Sequence, residues 1–85
     1  MKIHVTQDDI YRGNRRNCNY CPVARAVARA TSESEVYVGG DIFIRKNEHG
    51  SVYHAPRSVR RFIRRFDKGL PVAPFTFILR PKERI

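Results

Sequence analysis

The stretch "APRSVRRFIRRFDKG", residues 55–69, limits the fold more than any other part of this chain. Val59, Phe62, Ile63 and Phe66 recur at the i, i+3, i+4, i+7 spacing of one helix face. Pro56 stands at the start, where a missing N–H costs nothing, and Gly69 stands at the end. The spacing predicts a helix over 55–69 whose apolar side must be buried against other elements. On its opposite side Arg57, Arg60, Arg61, Arg64, Arg65 and Lys68 fall at i, i+3, i+4, i+7, i+8 and i+11. At about 100° per residue these six cover an arc of about 140°.

The rest of the chain supplies strands and two further helices. In "KIHVT", Ile3 and Val5 share one face, the pattern of a short strand. Thr6 is placed to cap "QDDIYRG", with Asp8 and Asp9 in the first turn and Gly13 as the stop. Residues 14–20 are polar and without period, hence a loop. Pro22 then opens "PVARAVARA", which puts Val23, Ala26, Val27 and Ala30 on one side and Arg25 and Arg29 on the other. "VYV" and "DIFIRK", separated by Gly39–Gly40, are followed by the turn "NEHG" and by "SVYHA". Residues 36–55 thus read as a β-meander, with Gly50 free to take a positive φ in the turn. Pro71 and Pro74 restrict pairing, so a last strand begins at about Phe75, where Phe75, Phe77 and Leu79 alternate with Thr76 and Ile78. The charged end "RPKERI", residues 80–85, is expected to fray. Together these predict one small α+β domain over residues 1–85. Its curved, mainly antiparallel sheet has four to five strands, with two to three helices packed on one face. A chain of 85 residues buries only about 60–65% of its unfolded surface, which leaves no room for a second domain or a large substrate cleft.

Charge is the leading functional signal. Seventeen lysines and arginines face eight acidic residues, for a net charge of +9, and thirteen of the seventeen are arginine. Arginine's planar fork matches phosphate and carboxylate. The excess is polarised: residues 56–85 hold nine basic and two acidic side chains, whereas residues 31–55 hold two basic and four acidic. Like charges at i, i+4, such as Arg57/Arg61 and Arg60/Arg64, each cost a helix a few tenths of a kcal/mol. A polyanion would offset that repulsion, against the plainer reading of a solubilising face. The expected partner is therefore nucleic acid held through phosphate contacts by Arg57, Arg60, Arg61, Arg64, Arg65 and Lys68, assisted by Arg15, Arg16, Arg25 and Arg29. An acidic host protein is the competing partner for the same face. No apolar run approaches the roughly 20 residues that cross a membrane, and "MKIHVTQDD" has no apolar signal core. A cytosolic setting, with cysteines as thiols, is expected.

Cys18 and Cys21 have the spacing of a zinc knuckle, and His49 and His54 have a compatible spacing for a second half-site. The 27 residues between Cys21 and His49 are far more than zinc fingers use. A thioredoxin-like role would want the CxxC directly after a strand, whereas a helix and a loop intervene. Packing is the favoured role, with Cys21 joining Val23, Val27 or Phe62 and Cys18 tying its loop to the body. No cofactor is expected, a small zinc module being the second alternative. Nor is an enzyme: Asp8 and Asp9 are explained by capping, His4 by solvation, and "VGGD" lacks the lysine and helix of a phosphate loop.

The pattern "VTQDDIYRG", then Cys18, Cys21, Pro22 and Ala24, with Phe62, Phe66, Asp67, Gly69, Pro71, Pro74 and Phe75 near the end, resembles small proteins of unassigned function encoded in tailed-phage genomes. The resemblance covers most of the chain, and its motifs are structural. It implies a phage gene product in a host bacterial cytoplasm and no particular activity. Arg60, Arg61, Arg64 and Arg65 stand outside the shared pattern.

Overall fold

Alternation and capping account for most of the elements. The computed structural model describes residues 1–82. Its order is β1 (Lys2–Val5), α1 (Gln7–Arg12), α2 (Pro22–Thr31), β2 (Glu35–Val38), β3 (Asp41–Lys46), β4 (His49–His54), α3 (Arg57–Asp67) and β5 (Phe75–Ile78). This is the expected α+β arrangement. All five strands pair antiparallel, but they divide into two sheets: β1 with β5, and β2-β3-β4.

The two sheets are joined by the chain that leaves β5. The His54 N–H donates to the Arg80 carbonyl (3.0 Å) and the Lys82 N–H to the Val52 carbonyl (2.9 Å). Tyr53 and Pro81 form an antiparallel bridge between them. Lys82 also reaches Asp41 at 2.9 Å. Residues 80–82 are therefore held along β4 rather than frayed, because the free edge of β4 offers them backbone partners. The remainder of the expected tail, residues 83–85, lies outside the described residues.

Inward residues follow the strand and helix periods. Ile3 and Val5 of β1, Val36 and Val38 of β2, and Ile42 and Ile44 of β3 are buried. Helix α2 lies against both β1 and β2, which its small Ala24 and Ala26 permit. From α3, Val59, Phe62 and Phe66 turn inward, and the Phe62 ring lies 4.8 Å from that of Phe75. Each such side chain contributes about 1.5–3 kcal/mol by leaving water. Helix α3 ends at Gly69, whose φ of +75° allows the Leu70 N–H to reach the Arg65 carbonyl and the Gly69 N–H that of Phe66.

Gly13 ends α1 as expected, whereas Gly50 has a role other than the one expected. Gly13 follows α1 with an extended backbone (φ −70°), so no left-handed turn requires it. A Cβ there would lie 2.6 Å from Pro22 Cδ, and this close approach to the start of α2 is what demands glycine. Gly50 is a strand residue of β4 lying under the Phe43 ring, since a Cβ there would collide with Phe43 Cζ. The positive φ of that hairpin, 56°, belongs to Asn47.

Candidate functional site

Helix α3 presents the basic stripe as its periodicity requires. Arg57, Arg60, Arg61, Arg64, Arg65 and Lys68 are all exposed. Among the described residues none of the six forms an ion pair. Arg57, Arg60, Arg61 and Arg64 together line an open groove of about 390 Å³. Arg65 differs from its neighbours. Its Nε and Nη2 donate to the Pro71 carbonyl at 3.3 and 3.1 Å, tying the segment after α3 back onto the helix.

The loop before α2 brings two more arginines to the C-terminal end of α3. Asn17 Oδ1 accepts from the N–H groups of Asn19 (3.0 Å) and Tyr20 (3.1 Å), which organises the loop. The Arg16 N–H donates to Asp67 Oδ1 at 2.9 Å, so the carboxylate nearest the stripe is engaged by backbone. Arg15 lies over Gly69, where a Cβ would be 3.4 Å from its Cζ. Arg80, which sequence reasoning assigned to a fraying tail, lines a cavity of about 430 Å³ with His54, Pro56 and Ser58 beside the start of α3. No local sequence pattern marks it, because its position depends on pairing with β4.

Arg25 and Arg29 are employed elsewhere. Asp9 is buried, and Arg29 grips it with both prongs, Nη1 to Oδ1 at 2.7 Å and Nη2 to Oδ2 at 2.8 Å. Arg29 Nη2 also donates to the His4 carbonyl at 3.0 Å. Thr6 and Asp9 close a capping box: the Thr6 N–H donates to Asp9 Oδ2 at 2.9 Å and the Asp9 N–H to Thr6 Oγ1 at 3.2 Å. Burial pushes the Asp9 carboxyl up, but the Arg29 and Thr6 hydrogen bonds outweigh it and hold the group below the usual aspartate range. The same contact raises Arg29 further. Arg25 approaches Asp9 Oδ1 and Asp8 Oδ2, both at 3.7 Å. Capping alone, as read from the sequence, accounts for only half of what Asp9 does.

The remaining acidic side chains are largely paired. Glu35 meets Arg45 at 3.6 Å, Glu33 meets Lys46 at 4.0 Å and Asp8 meets Arg12 at 2.9 Å. Positive charge without a paired carboxylate, among the described residues, is concentrated on α3 and its flanks.

Cys21 is buried in the core, as the packing reading expects. It also caps α2, its Sγ accepting from the Ala24 N–H at 3.4 Å. Burial pushes its thiol up, the reverse of what a reactive helix-terminal cysteine needs. Cys18 is exposed, with its Sγ on Asn19 Oδ1 at 3.2 Å. The loop is tied to the body by the Cys18 carbonyl, which accepts from the Val38 N–H at 2.8 Å, and not by the thiol. His49 and His54 sit at opposite ends of β4 and, five residues apart, point to opposite faces about 16 Å from each other. They cannot share one ion. Among the described residues no group of three or more His, Cys, Asp or Glu side chains is gathered to hold a metal. The zinc set of Cys18, Cys21, His49 and His54 is thus not assembled.

No protein-family model, curated protein or solved structure matches the chain. Among the described residues no helix is long and apolar enough to cross a membrane.

Proposed function

We propose that this protein is a small phage-encoded accessory factor of the host cytoplasm that binds nucleic acid through phosphate contacts made by α3. The observation that carries this reading is the groove between Arg57, Arg60, Arg61 and Arg64, four exposed guanidinium groups without a paired carboxylate among the described residues. Bringing them together on one helix face costs repulsion that a row of phosphates removes. Arg64 and Lys68 extend the row toward Arg15, and Arg80 flanks its other end. Contacts of this kind give affinity with little sequence discrimination. Arg25 and Arg29 have no part in it, because their guanidinium groups are turned to Asp8 and Asp9.

Fluorescence anisotropy with a labelled oligonucleotide, repeated over a series of salt concentrations, tests the proposal. Four to six phosphate contacts predict a log–log salt slope of about −3 to −5. Changing Arg57, Arg60, Arg61 and Arg64 to serine should weaken binding more than tenfold and flatten the slope. Arg65 is left in place because it holds Pro71. Unchanged affinity in that variant defeats the proposal. Retention of an acidic host protein by the stripe, with no oligonucleotide bound at low salt, would transfer the site to the competing partner.

A further inference from the structure

Beside the stripe lies a second groove of different character. It occupies about 320 Å³ between α3 and the segment that follows it, with Phe62, Val72, Pro74 and Phe75 as its apolar walls. Arg61 and Arg65 stand among its lining residues. Arg61 also lines the cationic groove, so the two grooves adjoin along a single side chain. The outer wall is held in place, because Arg65 fastens the Pro71 carbonyl. Phe75 is only half-buried: its ring packs against Phe62 at 4.8 Å and stacks near Phe77 at 5.9 Å, and its remaining surface lines the groove.

We propose that this groove receives an unpaired base of a single-stranded nucleic acid whose phosphates lie on the arginine stripe. The inference rests on the phosphate-binding reading of α3 and narrows it to a class of ligand. A duplex turns its phosphates outward and keeps its bases stacked inside, so it would leave an apolar slot beside the stripe unfilled. A single strand carries both chemistries side by side: an anionic backbone, and flat apolar bases free to splay from it. Arg61 occupies the junction that such a ligand requires, where a guanidinium can meet phosphate at its edge or a base on its plane. Pro74 and Phe75 offer the flat apolar surface on which any base can stack, which gives little preference for one sequence over another.

The decisive comparison uses the intact chain and two labelled strands of equal length and charge, a thymidine 12-mer and the corresponding abasic strand. The thymidine strand should bind about tenfold tighter or more, the increment expected of one or more stacked bases. Phe75→Leu keeps the site apolar but removes the aromatic face. It should reduce the preference to less than threefold and leave abasic-strand affinity unchanged. Should that variant fail to fold by circular dichroism, Ala73→Leu at an exposed lining position crowds the groove without altering charge and should have the same effect. Equal affinity of the wild-type protein for the two strands overturns the base-binding groove and leaves the phosphate reading intact. A preference that survives the folded groove variants overturns it too. Failure to bind either strand at low salt overturns both.

Discussion

Removing the Arg29 side chain tests whether the Asp9–Arg29 pair holds the first helix to the second. Asp9 has no exposed side-chain surface, whereas Arg29 is about half exposed, at 51%. Arg29→Ala deprives a buried carboxylate of two charge-assisted hydrogen bonds and leaves the Thr6 N–H as its remaining close donor. Breaking a fully buried pair costs about 3–5 kcal/mol. Exposure of Arg29, and Arg25 standing 3.7 Å away to take over in part, reduce the expected loss to about 2–3 kcal/mol. For a domain of this size that is a fall in Tm of roughly 10–20 °C. Urea unfolding followed by far-ultraviolet circular dichroism measures it. The Asp9→Ala/Arg29→Ala double variant should lose less than the two single changes combined. Acid titration gives a second readout. Because the folded Asp9 carboxyl lies below its ordinary value, its contribution is present in full above about pH 4 and is lost as pH falls through the folded value. Without Arg29, burial raises that value toward or past the ordinary one, so the acid-linked loss of stability shrinks. A loss below 0.5 kcal/mol for Arg29→Ala, with an unaltered acid limb, would refute the reasoning.

Two further changes address the loop between α1 and α2. Gly13→Ala drives a methyl group to within 2.6 Å of the Pro22 ring and should cost about 1–3 kcal/mol by urea unfolding, although its φ suits alanine; a neutral result would disprove the close approach. In native protein one thiol, Cys18, should react promptly with a chromogenic disulfide, and Cys21 only after unfolding; two prompt equivalents would contradict the burial of Cys21.

Elements whose signals are local were legible from the sequence. The period of Val59, Phe62 and Phe66 located α3 and its stripe, and Pro22 and Thr6 marked helix starts. What could not be read depends on partners distant in the chain. Arg29 and Asp9 are twenty residues apart, and nothing near either distinguishes a buried pair from two solvated charges. The same holds for Arg80, placed by an edge of β4, and for Gly13 and Gly50, whose glycine requirement comes from Pro22 and Phe43 and not from their own dihedral angles. The division into two sheets was hidden for a related reason: alternation reports which face of a strand is inward, not which strand lies beside it.

The pairing of Ile3 with Phe77 has a consequence for how the molecule is made. Because β1 is synthesised before β5, it must wait, unsatisfied, for its partner. That late arrival then fastens the meander as well, through Arg80 and Lys82. Nascent chains halted before Phe75 would carry an open core with apolar strands and no seam to close them, and should be the species that proteases and chaperones meet.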